Sequence, residues 1–233
     1  MFGLNNFSFA ELWSPVVLFI YVIIAAAYLL ITGPYRKLFT DTEPISWGRR
    51  LMFLLGLFLF YFAQSGPLEV LAHILFSAHM IAMTVSYIIA PPLLISGIPA
   101  WVWRRFLELK FLRPFKFLAR PVVSIILFNG LFSLYHMPVI LDYVMQNFTV
   151  HRILYAVLFL TSILMWWPLM CPVPERNRMS ELQKMAYIII AGVLLTPACA
   201  LIIFAPSSLY ETYSNPLVWA TALTYCIPGN PEM

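Results

Sequence analysis

Long apolar runs dominate this sequence. An α-helix rises 1.5 Å per residue, so about 20 apolar residues cross the ~30 Å hydrocarbon core of a bilayer. Charged residues make up only 10% of the chain, against roughly a quarter in soluble domains. We therefore expect an all-α fold, a polytopic membrane helix bundle embedded in the lipid bilayer as a single domain over residues 1–233. Six segments are the candidate transmembrane helices: 12–32, 50–66, 71–95, 121–141, 152–171 and 185–206.

Two details refine this expectation. No basic residue precedes the first apolar run, which favours a retained helix over a cleaved signal peptide. Pro91 and Pro92 remove two backbone donors and are expected to break the third helix near its far end.

The basic residues are distributed unevenly between the connecting loops. Loops 33–50, 96–120 and 172–184 hold 13 of the 14 Lys and Arg residues, and Arg152 is the remaining one. This asymmetry is the positive-inside signature, so the three loops are predicted to be cytoplasmic and the N-terminus to lie outside. Topology thus explains the net charge of +4, and no nucleic-acid partner is expected.

With this topology, all four histidines fall in the outer half of the membrane or at its surface. His73 and His79 open the third segment, His136 lies near the end of the fourth, and His151 opens the fifth. If 71–95 is one helix, both of its histidines share an arc of about 120° with two methionines, Met80 and Met83. Polar groups inside a membrane helix are candidates for function.

The chemistry of these side chains points to copper. Imidazole suits copper, zinc and iron, whereas thioether is a soft ligand that favours Cu(I). No carboxylate accompanies these groups in mid-helix, which argues against magnesium, calcium and di-iron sites. We predict a metal site in a shared outer cavity that holds copper as Cu(I), with six candidate ligands: His79, His136, His151, Met83, Met80 and His73. Heme ligation and purely structural histidines, with methionine as a gap-filler, stay open as alternatives.

Several motifs resemble one known family. "FSAHM" (76–80), "APPLLISGIP" (90–99), "LYHMPVILDYV" (134–144) and "WWPLMCPVPE" (166–175) look like the CtaG-type assembly factors of cytochrome c oxidase. The resemblance implies a protein of the bacterial cell membrane that assists caa3-type oxidases, with oxidase subunits and a copper donor protein as partners. The family's histidines match His79, His136 and His151. Many members carry another histidine where this chain has Met83, and most continue into a seventh helix, so a C-terminal segment is expected to be missing here.

The leading functional hypothesis is a copper-handling chaperone for oxidase assembly, with no enzymatic activity. A metal-independent scaffold for an oxidase subunit is the main alternative. A transporter of ions or small solutes is the third hypothesis, and the lack of internal repeats and intramembrane carboxylates argues against proton coupling in it.

Overall fold

The computed structural model describes residues 7–39, 44–112, 114–176 and 179–220, and within these ranges it contains helices and no strand. The predicted all-α fold is confirmed. The α-helices are α1 (Phe9–Trp13), α2 (Pro15–Thr32), α3 (Trp47–Ser65), α4 (Pro67–Ile74), α5 (Phe76–Thr84), α6 (Ala90–Gly97), α7 (Ala100–Leu107), α8 (Pro121–Tyr135), α9 (Pro138–Met145), α10 (Phe148–Met170), α11 (Glu181–Ile203) and α12 (Glu211–Ser214).

Five helical stretches in the described ranges are long and apolar enough to cross a membrane: Phe9–Thr32, Trp47–Ile74, Phe76–Gly97, Phe148–Met170 and Glu181–Ile203. Helices α8 and α9 make a sixth if they are taken as one span, although they are bent by 77° relative to each other. The predicted count of six spans is therefore reached only through this bent pair.

The boundary between the second and third spans differs from the sequence prediction. Helix α4 extends the second span to Ile74, and Leu75 interrupts the helix with φ −128° and ψ 124° before α5 begins. His73 and His79 thus lie on different helices. The prediction that they share one face of one helix is wrong. The extended residue between them ends one helix, and the next helix begins in a new orientation.

The two prolines of the third span do not end the helix. They follow a π-helical segment, Val85–Ile89, and α6 continues directly from it. Pro91 and Pro92 have no N–H for the carbonyls one turn earlier. The Tyr87 carbonyl instead accepts hydrogen bonds from Ser162 Oγ and, at 3.1 Å, from Trp166 Nε1. Donors from α10 therefore replace the bond that Pro91 removes at the Tyr87 carbonyl.

Helices α3 and α6 pack very closely at a glycine. A Cβ on Gly97 would lie 2.5 Å from the Phe53 backbone nitrogen and 2.7 Å from its Cα. Tyr28 on α2 donates to the Gly97 carbonyl at 2.8 Å and stacks on the Phe53 ring. These contacts join three spans near the loops that carry the basic residues.

The basic loops lie together at one end of the bundle, here called the basic end. Arg104, after α6, donates to Glu175, after α10, at 2.6 Å, and this hydrogen bond holds the pKa of the Glu175 carboxyl below its usual value. Helix α10 has 23 residues, about 34 Å of rise, which separates Glu175 from the opposite end, where His151 and Arg152 lie. That opposite end is called the histidine end. Which end faces outside stays a prediction.

Candidate metal centre

All four histidines are buried, with 1–2% of each residue exposed. They come from four parts of the fold: His73 from the last turn of α4, His79 from α5, His136 from the corner between α8 and α9, and His151 from the first turn of α10. The structure brings them together as two pairs.

His79 and His136 form the first pair. Their ring centroids are 6.0 Å apart, and the ring planes meet at 61°. His136 caps the C-terminus of α8, where Pro138 begins α9 in a new direction. The 77° bend therefore turns this imidazole into the bundle instead of continuing the span.

His73 and His151 form the second pair. Their ring centroids are 5.5 Å apart, and the ring planes meet at 70°. One ring comes from the end of the second span and the other from the start of α10. Each pair thus joins two segments that are distant in the sequence.

Hydrogen bonds to the backbone fix the orientation of two imidazoles. Nδ1 of His73 lies 2.8 Å from the Glu69 carbonyl, and Nδ1 of His136 lies 2.8 Å from the Phe132 carbonyl. A carbonyl only accepts, so each Nδ1 carries the hydrogen and each Nε2 carries the lone pair. Metal-binding histidines are commonly oriented by such a bond.

Two of the buried imidazole nitrogens have no hydrogen-bond partner. These are Nε2 of His136 and Nε2 of His151, one from each pair. Leaving a buried polar atom unsatisfied costs about 1–3 kcal/mol, so such atoms call for an explanation in a folded protein. Nε2 of His136 carries a lone pair, because Nδ1 donates to the Phe132 carbonyl, and a buried lone pair without a partner can bind a cation.

Two tyrosines connect the pairs and were missed in the sequence. The Tyr135 hydroxyl lies 3.4 Å from Nε2 of His79 and 3.2 Å from the Tyr155 hydroxyl. The Tyr155 ring centroid is 4.0 Å from that of His151. The signals were local, since Tyr135 precedes His136 and Tyr155 follows His151 by one helical turn.

A carboxylate also lies in this region, contrary to the sequence prediction. Glu69 is buried within the Trp47–Ile74 span, one turn before His73, and Oε1 lies 3.1 Å from Arg152 Nη2 in an ion pair. Arg152 also donates to the Gln64 carbonyl at 3.2 Å. The carboxylate was missed because residues 67–70 were assigned to a loop. Its charge is balanced by the single basic residue outside the three basic loops.

A cavity adjoins the first pair. It has a volume of about 140 Å³, and Phe76, Tyr210 and Tyr213 contribute to its lining. The rings of Phe76 and Tyr213 lie 6.0 and 6.2 Å from the His79 ring. Tyr210 donates to the His136 carbonyl at 2.9 Å, and burial raises the pKa of this phenol to about 12, so it stays a donor. These aromatic rings separate the cavity from the histidines.

The two predicted sulfur ligands, Met80 and Met83, are located by their burial alone. Met83 is buried in the hydrophobic core with Tyr87, Phe128 and Tyr135, and Met80 is half-buried. Their role as ligands stays a prediction. Met145, which the sequence analysis did not select, lies with its sulfur 4.0 Å from the Tyr135 hydroxyl. Across the described ranges, no three His, Cys, Asp or Glu side chains stand close enough to hold one metal ion.

Comparison with known families gives a match over most of the chain. The family model of the cytochrome c oxidase caa3 assembly factor matches residues 26–226, which include every helix that supplies a histidine. Comparisons with curated proteins and with solved structures gave no match. The resemblance of the motifs is thereby confirmed over most of the chain. This multi-pass helical protein belongs to the family of cytochrome c oxidase caa3 assembly factors.

Proposed function

We propose that this assembly factor binds copper as Cu(I) on its buried histidines and helps to insert it into a heme-copper oxidase of the bacterial cell membrane. Membership of the family supports the assembly role. The copper role depends on one observation, the two buried Nε2 atoms of His136 and His151 that have no hydrogen-bond partner. A bound cation would use the lone pair on Nε2 of His136 and, with the hydrogen of His151 on Nδ1, the lone pair on Nε2 of His151.

The chemistry of the site favours Cu(I) over other metals. Neutral imidazoles bury no charge of their own, so Cu(I) adds a single positive charge, whereas divalent ions add two. Structural zinc takes four ligands, and the described ranges contain no group of even three. Cu(I), with its filled d shell, is stable with two nitrogen ligands.

The proposed direction of delivery follows from the topology. If the basic end is cytoplasmic, as the positive-inside rule predicts, the histidine end faces outward. A copper donor protein outside the cell would then load this end, and an oxidase subunit would receive the ion from it. Cu(I) is cargo in this scheme, and the chain catalyses no reaction.

Copper analysis of the purified protein tests the proposal. We expect protein incubated with Cu(I) under anaerobic conditions and desalted to retain copper, and a His136→Leu/His151→Leu variant to retain none. Cells that carry only this variant should have reduced cytochrome c oxidase activity. Met137→Leu is the matched control, because Met137 adjoins His136 but is 47% exposed, and it should retain wild-type copper.

Two outcomes would replace this proposal. Wild-type protein that retains no copper but still captures an oxidase subunit would indicate a metal-independent scaffold. An absorption spectrum with a Soret band would instead identify the imidazoles as heme ligands.

A further inference from the structure

We infer that the four histidines form two separate two-coordinate Cu(I) sites, one on His79 and His136 and the other on His73 and His151. The inference deepens the proposed copper function and rests on it. The sequence predicted one metal site in a shared cavity, whereas this inference has two binding sites for the same ion.

The spacing of the rings fits one ion between each pair. A ring nitrogen about 2.0 Å from a metal places its ring centroid about 3 Å from that metal, so two imidazoles on one ion have centroids about 5 to 6 Å apart. The measured separations are 6.0 Å for the first pair and 5.5 Å for the second. The longer value corresponds to a nearly linear arrangement and the shorter one to a bent arrangement.

Each pair carries its own unsatisfied nitrogen. Nε2 of His136 belongs to the first pair and Nε2 of His151 to the second. In each pair one imidazole donates its Nδ1–H to a carbonyl of its own helix, His136 to Phe132 and His73 to Glu69. In the first pair the backbone bond and the unsatisfied nitrogen belong to one imidazole, His136, whereas in the second pair His73 makes the backbone bond and His151 carries the unsatisfied nitrogen.

Two tyrosine rings, those of Tyr135 and Tyr155, form a chain of ring contacts from the first pair to the second. The Tyr135 ring lies 5.8 Å from the His79 ring and 5.9 Å from the Tyr155 ring, which in turn contacts His151. A single ion shared by three histidines would need the pairs to merge. In the part of the chain that the structure describes, no such group of three exists.

The surroundings give the two sites different roles. The first pair lies behind Phe76 and Tyr213, which line the cavity at the histidine end. The second pair lies beside the Glu69–Arg152 ion pair, whose two charges balance each other. We assign the first pair to entry and the second to retention. The ion keeps its charge as it moves, so the transfer needs no oxidant or reductant.

Copper stoichiometry of single variants tests the inference. Under anaerobic Cu(I) titration we expect about two ions per chain for the wild type, about one for His136→Leu, about one for His151→Leu and none for the double variant. X-ray absorption of each single variant should show copper with two nitrogen neighbours. His79→Leu and His73→Leu repeat the test on the partner residues if either first variant fails to elute as a folded protein.

The outcomes separate this inference from the proposed function. If the wild type binds one ion and each single variant binds none, one shared site exists, and the inference falls while copper binding stands. If a single variant keeps the wild-type count, the inference also falls. Wild-type protein that binds no Cu(I) overturns both.

Discussion

At the residue scale, the orientation of two of the four imidazoles depends on a backbone carbonyl four positions earlier. His136 bonds to Phe132, and His73 bonds to Glu69, through Nδ1 in both cases. Such a bond lowers the number of free rotamers and directs Nε2 away from the helix that carries the ring. A backbone carbonyl can therefore orient a histidine in a helix for metal binding without any polar side chain nearby in the sequence.

The first prediction concerns the Glu69–Arg152 ion pair. Arg152→Leu leaves the Glu69 carboxylate buried without its counter-charge, and we expect the free energy of unfolding to fall by about 1–3 kcal/mol. Glu69→Leu/Arg152→Leu should be more stable than the single variant, because no buried charge remains. Thermal unfolding in detergent measures both. A double variant less stable than Arg152→Leu would show that the pair matters through its other contacts, such as the bond from Arg152 to the Gln64 carbonyl.

The Tyr87 carbonyl gives the second prediction at this scale. Trp166→Phe removes one of its two donors from α10, and we expect a loss of about 1 kcal/mol in the free energy of unfolding. Adding Ser162→Ala removes the other donor and should cost more than the two single substitutions together. A strictly additive double variant would indicate that the carbonyl finds another donor.

At the element scale, close contact between α3 and α6 depends on Gly97. Gly97→Ala would place a Cβ within 2.7 Å of Phe53 backbone atoms, which cannot rotate away. We expect unfolding at a lower temperature, with a loss of about 1–3 kcal/mol in the free energy of unfolding.

Gly192→Ala is the matched control for this substitution. Gly192 lies within α11 with nothing within 4 Å of its added Cβ, so alanine should stabilise that helix by up to about 1 kcal/mol. Equal effects of the two substitutions would contradict the packing argument.

The sequence predicted the membrane-spanning helices better than the breaks and bends between helices. Apolar length located the spans, because crossing the hydrocarbon core demands a minimum run of residues. Leu75 gave no signal, since leucine is a good helix former, and its extended backbone is set by tertiary packing. The effect of Pro91 and Pro92 depended on donors from α10, which no local pattern reveals. The pairing of the histidines depends on these breaks and bends and could not be predicted from the sequence.

At the scale of the whole molecule, charge is separated along the bundle. In the sequence, the three basic loops hold 13 of the 14 Lys and Arg residues, while Arg152 at the histidine end is paired with Glu69. The candidate site is bordered by aromatic and apolar groups and by this ion pair, whose two charges offset each other.

This separation predicts the topology of the protein, with the histidine end outside. In a variant whose three native cysteines are replaced by serine, Thr149→Cys at the histidine end should react with a membrane-impermeant thiol reagent in intact cells. Lys116→Cys at the basic end should react only after lysis. Both positions are exposed, so accessibility in the folded protein is matched. Labelling of position 116 alone in intact cells would place the histidines on the cytoplasmic side, and copper would then have to be loaded from the cytoplasm.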